Sequence, residues 1–257
     1  VLARFLYMEK GKMTLRLAQW NSGKMHNAIP RDGKIVFAVP ADKKEEVKAD
    51  WNIFAAQVED EYHVTDTNML WALGSCEAQD VMPEKVSDNL INALQAVDNG
   101  VFAMCQDEEL AWMVETSSNV ASVQSEAGKV VIVSSQRSNV TSNLTNICNT
   151  VKATYELAGA DVEQTDGYPA WQPKHGSELQ RIVKEAYKKL FGKEPVVRGI
   201  HAGLECGLFS EKYPDLDMVS FGPTLRNVHT PDECLYIPTV QMVWDHLLEI
   251  LKNIPKK

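Results

Sequence analysis

The stretch AWMVETSSNVASVQ (residues 111–124), followed by KVVIVSSQRSN (129–139), decides the fold. Both runs read as strands. The next segment, 143–158, carries Leu144, Ile147, Cys148, Val151, Tyr155 and Ala158 at helical spacing, and Gly159 ends it. The same alternation runs upstream. Residues 2–10 read as the end of an amphipathic helix, TLRLAQW from Thr14 as a strand, NSGKMHNAIPRDG as a loop of turn formers and KIVFAVPAD as a strand. A helix over 43–63 places Val47, Trp51, Phe54, Val58 and Tyr62 on one face. NMLWALGS reads as a further strand. A helix from Glu84 with Val86, Leu90, Ile91, Leu94 and Val97 stops at Asn99-Gly100. DVEQTDG reads as a short last strand. Strand pairs alternating with helices predict an α+β sandwich, an antiparallel sheet with helices on one face.

Composition shifts at GYPAWQPKHG (167–176), a Pro- and Gly-rich crossing between domains. The next helix opens with Ser177 and Gln180, a capping-box spacing, buries Leu179, Ile182, Val183, Ala186 and Leu190, and closes at Gly192. PVVRGIH, a short helix through LECGLF, DMVSFGP and a last helix with Val240, Val243, Trp244, Leu247, Leu248 and Leu251 follow. That order predicts α/β architecture with parallel strands.

A chain of 257 residues suits one large domain or two small ones. The net charge of −9 and the lack of any Lys/Arg run argue against a nucleic-acid surface. No apolar run reaches the ~18 residues that span a membrane. Five scattered cysteines without a C-x-x-C pair fit reduced thiols in the cytoplasm rather than a disulfide framework. The N-terminus is too short and charged for a signal peptide and enters in mid-helix, as if inside a longer protein.

RNVHTPDECLYIP (226–238) sets one histidine between strand-like and helix-like runs. Loops at the carboxyl ends of parallel strands are where α/β proteins hold ligands. His229 either ligates a metal, with Asp232 or Glu233 fixing its tautomer, or fills a turn while the carboxylates favour a helix N-terminus. One histidine does not make a zinc site, and no H-x-H, H-x-D or H-x-x-x-H completes it. GIHAGLECG (199–207) turns from strand to helix on three glycines, which lets a ligand approach the backbone. Within it, His201 and Glu205 are either catalytic groups or a packed strand end and a helix-start charge.

Taken together, LARFL, KMHNAIPR, QRS, DGYPAWQP, HAGLECGLF, DMVSFGPT, VHTPDE and IPTVQMVWDHL closely resemble, in this order, the aminoacylhistidine (Xaa-His, carnosine-hydrolysing) dipeptidase branch of the M20 metallopeptidases. The resemblance covers essentially the whole chain. It implies a lid and dimerisation domain over residues 1–165, followed by the C-terminal part of a two-zinc α/β catalytic domain over 166–257. It implies His229 as a zinc ligand. Arg137 would grip the substrate carboxylate, a role that suits a guanidinium fork. Asn27, and with less support His26, would hydrogen-bond the substrate or transition state, and Gly203 would offer a backbone contact. On residue type alone, Arg137 equally fits a surface ion pair and Asn27 a turn.

The family's H-x-D motif, bridging Asp, Glu-Glu pair and further carboxylate ligand are missing and are expected before residue 1. The catalytic base, which would deprotonate a zinc-bound water, is therefore expected outside this chain. The implied function is part of a metallo-dipeptidase for Xaa-His dipeptides, cytoplasmic, inactive alone and with a possible homodimer through the lid. The alternatives are a non-catalytic lid-type binding or dimerisation module, and a related peptidase for another small peptide or N-acyl amino acid.

Overall fold

The computed structural model describes residues 1–257 except 107, 109, 166, 168, 170, 172–175, 200–204, 229–231 and 256–257. The described chain falls into two compact units, Val1–Met104 with Val114–Asp166, and Cys105–Met113 with Gly167–Lys257.

The first unit is built on an antiparallel sheet of β1 (Arg16–Ser22), β2 (Gly33–Ala38), β3 (Gly100–Met104), β4 (Val114–Glu126) and β5 (Lys129–Ser138). β4 is its spine. One edge of β4 pairs with β3 near its start and with β1 at Ser22↔Val123, while the other edge pairs with β5 from Thr116↔Ser138 to Glu126↔Lys129. Helices α1 (Leu2–Lys10), α2 (Lys44–Glu61), α3 (Glu84–Ala96) and α4 (Thr141–Leu157) complete the unit. α3 and α4 pack on the sheet, so the expected antiparallel sheet with helices on one face is the observed architecture.

The core explains why these sequences take these forms. Phe5 and Leu6 of α1, Trp51, Phe54 and Val58 of α2, Ile91 of α3 and Leu17 and Trp20 of β1 share one buried cluster. Phe5 and Trp51 meet edge to face at 4.9 Å. A second cluster joins Ala93 and Val97 to Val151 and Tyr155 of α4. Buried Glu9 accepts from Lys12 Nζ at 2.9 Å, and the same ammonium reaches Asp50 at 2.8 Å, tying α1 to α2.

Three sequence expectations change here. NMLWALGS forms no strand, because both edges of β1 are taken by β2 and β4; Met69, Trp71 and Leu73 pack on the aromatic cluster instead. DVEQTDG forms no strand among its described residues, and Val162 packs beneath α3 and α4. β3, which was not expected, begins at Gly100 with φ +113° and exposes Val101 and Phe102, the habit of an irregular edge strand. On α3, Val86 points outward, and the buried Ser87 hydroxyl accepts from the Leu17 N–H at 2.9 Å.

The second unit centres on α5 (Glu178–Phe191), α6 (Glu205–Lys212) and α7 (Pro238–Asn253), with a two-stranded antiparallel sheet of β6 (Leu225–Arg226) and β7 (Cys234–Leu235). Ser177 caps α5 by accepting from the Gln180 N–H at 2.9 Å, and Gly192 closes it in the left-handed region at φ 68°. Ile182, Val183 and Ala186 of α5 pack on Ile250 of α7. The described parts of PVVRGIH and DMVSFGP belong to no helix or sheet, so no parallel ladder exists among the described residues. Leu190, expected on the buried face of α5, is 40% exposed. No described helix is long and apolar enough to cross a membrane.

Candidate functional site

The sheet of the first unit packs against α3 and α4, with α4 on β4 and β5. Side chains alternate along a strand. Ser134 bonds the Tyr155 hydroxyl at 2.9 Å, Gln136 lies 4.0 Å from Cys148 Sγ, and Ser138 bonds Thr116 at 2.8 Å, so this phase of β5 faces α4 or the polar layer beneath it. Arg137 therefore belongs to the opposite face, with Val131, Val133 and Ser135. Its cross-strand partner there is Ser117, and Asn119 opposes Ser135 one step along. Same-face neighbours along a strand lie about 7 Å apart.

The loop 24–31 is fastened to this neighbourhood. Gly23 lies at φ +65°, and a Cβ there would stand 2.0 Å from the Ala121 carbonyl oxygen, so only glycine lets the loop leave β1 so close to β4. Gln124 Nε2 donates to the Ser22 and Gly23 carbonyls at 3.2 and 2.8 Å. Asn119 Nδ2 donates to the Ala28 carbonyl at 2.9 Å. These bonds anchor the turn that carries His26 and Asn27, both exposed. Met25 and Ile29 beside them are 58% and 80% exposed, which leaves an apolar rim around two polar side chains. Half-buried Arg137, paired with Ser117, and the loop bearing Asn27 and His26, bonded to Asn119, are thus both attached to β4.

Beneath Arg137 the structure is polar and bonded. Asn143 of α4 donates to the Glu115 carboxylate at 2.6 Å, Thr116 donates to it at 3.1 Å, and Gln136 donates to Ser118 at 3.1 Å. Bonded polar side chains at a strand end hold the backbone that aims Arg137. Sequence reasoning missed Gly23, Asn119 and Gln124. The signal was present in β5, where both side-chain phases change from Val and Ile to Ser, Gln and Arg after Val133.

In the second unit, His229, Gly203 and His201 lie outside the described residues. Their flanks are placed. α6 begins at Glu205, and β6 and β7 form a hairpin whose connection contains VHTPDE. Asn227 adopts φ 52°, a left-handed turn position that asparagine tolerates. Among the described residues no group of three or more His, Cys, Asp or Glu converges to hold a metal ion. A zinc centre therefore does not fit the described residues by themselves.

Residues 25–253 match the family described as Peptidase family M20/M25/M40. Over 258 residues the chain is 37% identical to the cytosol non-specific dipeptidase of Escherichia coli (strain K12), which takes in 100% of this chain and 53% of that protein. In three dimensions it is similar to the crystal structure of aminoacylhistidine dipeptidase from Vibrio alginolyticus, with a TM-score of 0.87 and 36% identity over 100% of this chain and 52% of that one. The chain spans about half the length of these two proteins.

Proposed function

The chain belongs to peptidase family M20/M25/M40, and from that premise we propose that it supplies the substrate-gripping lid and the C-terminal catalytic segment of a metal-dependent dipeptidase. The observation that carries this is that Arg137 and the anchored loop of Asn27 are both attached to β4, through Ser117 and Asn119. A guanidinium fork binds the carboxylate of a dipeptide in two-point fashion. Asn27, with His26 beside it, hydrogen-bonds the peptide end, and Gly203 offers its backbone.

The metal is proposed to be zinc, with His229 as one ligand; when bound, it polarises the peptide carbonyl and acidifies a water molecule. The general base and the other ligands are assigned to the half of the relatives that this chain does not span. The substrates are proposed to be Xaa-His and related small dipeptides, and the site of action the cytoplasm. Among the described residues β5 has β4 on one edge and no strand on the other, which supports a homodimer through the first unit.

The test is hydrolysis of a dipeptide panel that includes β-alanyl-histidine, run on the purified 257-residue chain with zinc and on the native protein from its source cells. The expected result is no turnover by the chain and turnover by a native protein of about twice its mass. Turnover by the pure chain would remove the need for an external base. A native protein that prefers long peptides would remove the dipeptidase reading.

A further inference from the structure

Glu115 has no part in the chemistry proposed above, yet it is only 7% exposed, while the other charged side chains on the strands of its sheet are half-buried or exposed. Burying a carboxylate is unfavourable unless its oxygens are hydrogen-bonded. β3 steps from Ala103↔Thr116 to Met104↔Val114, so Glu115 is passed over in that ladder. A bulge of this kind re-aims a side chain. Here the carboxylate reaches α4, where Asn143 Nδ2 donates to Oε1 at 2.6 Å, and the Thr116 hydroxyl lies 3.1 Å from the same oxygen.

A carboxylate only accepts. The Thr116 hydroxyl therefore gives its single proton to Glu115. At the 2.8 Å contact between Thr116 and Ser138, the Ser138 hydroxyl is then the donor. Ser138 Oγ in turn accepts from the Val140 N–H at 3.0 Å. The bonds run one way, from Val140 at the start of α4 through Ser138 and Thr116 to Glu115. The Asn139 N–H also donates to the Glu115 backbone carbonyl at 3.1 Å. Side chain and backbone of Glu115 thus both hold the end of β5 directly after Arg137. Bonds that end on a charge are stronger than those between neutral groups, and a directed chain strengthens each member. How well a guanidinium fork meets a carboxylate depends on how firmly its own backbone is held.

We propose that Glu115 is a positioning residue for Arg137, and that through it Glu115 sets the preference for substrates ending in a free carboxylate. The preference rests on the role of Arg137 proposed above; the chain of bonds does not.

The test has two readings. In the native protein from its source cells, kcat/KM is compared for β-alanyl-histidine and for its C-terminal amide. Glu115→Ala should lower the ratio of acid to amide at least about tenfold, mainly through KM, and should lower it no further in an Arg137→Lys background. In the 257-residue chain, Glu115→Ala should speed hydrogen exchange of the Val140 amide at least about fivefold, while the amides of 122–125 keep their rates. Thr116→Val cuts the same chain of bonds one step nearer Ser138 and should do both where Glu115→Ala does not fold. An equal loss for acid and amide, a loss that persists in full beside Arg137→Lys, or an unchanged Val140 amide would each overturn the proposal. A native protein that hydrolyses no dipeptide overturns the proposed function and with it the substrate preference, whereas turnover with an unmoved ratio overturns the role of Glu115 alone.

Discussion

At the scale of single residues, Gly23 controls where the loop of Asn27 lies. Alanine there would meet the Ala121 carbonyl oxygen at 2.0 Å in a left-handed conformation, so backbone rather than side chain must yield. Gly23→Ala should cost more than about 2 kcal/mol and speed hydrogen exchange of the Ala28 amide, which donates to the Met25 carbonyl. Both are measurable by urea unfolding and mass-detected exchange. Arg137 is tested differently. Arg137→Lys keeps the charge and loses the fork, so in a preparation that hydrolyses dipeptides KM should rise roughly 10- to 100-fold with a smaller change in kcat. An equal fall in kcat with KM unchanged would assign Arg137 to framework support. Arg137 and Asn27 could be singled out in the sequence only through whole-chain resemblance, since residue type left an ion pair and a turn equally open. Gly23 and Asn119 act through contacts with partners about a hundred residues or more than ninety positions away, and no local pattern reports such contacts.

At the scale of elements, periodicity gave α1, α2, α3, α4, α5 and α7 and the strands β1, β2, β4 and β5, because each has an apolar phase that finds a buried face. It failed where an apolar phase is used without a ladder. Met69, Trp71 and Leu73 alternate like a strand but pack on the aromatic cluster, while 217–221 alternates and sets Val219 and Phe221 against α5 and α7. β3 escaped notice because it is short, bulged and half-exposed. The α4–β5 layer yields a chemical prediction. Burial pushes the Cys148 thiol above its ordinary value, and the thiol lies 4.0 Å from the Gln136 side-chain oxygen. Iodoacetamide at neutral pH should therefore label the exposed Cys76 and Cys234 well before Cys148, as peptide mass spectrometry would resolve. Early labelling of Cys148 would show that α4 opens readily from β5.

At the scale of the whole molecule, each unit carries an acid-sensitive tie. Arg4 donates to both oxygens of Glu61 at 2.8 Å in the first unit, and Lys189 bonds Glu249 between α5 and α7 in the second. Each cation holds its carboxyl below the ordinary 4.5. A carboxylate whose folded pKa is depressed adds stability that is present above its unfolded value and lost as pH falls through the folded one. The melting temperature should thus be flat from about pH 7 to 5 and fall below about pH 4. Glu249→Gln should flatten that fall for the second unit only, as followed by Trp244 fluorescence. The connection Cys105–Met113 departs from β3, belongs to the second unit and returns to β4. Met113 is buried there, and its sulfur occupies the place a Cβ on Gly199 would take. The polypeptide therefore passes between the units at three places rather than one. A stop codon after residue 166 would not liberate the first unit cleanly, for it would carry a loop torn from its socket, and a protease that nicks 167–176 would leave two fragments still threaded together.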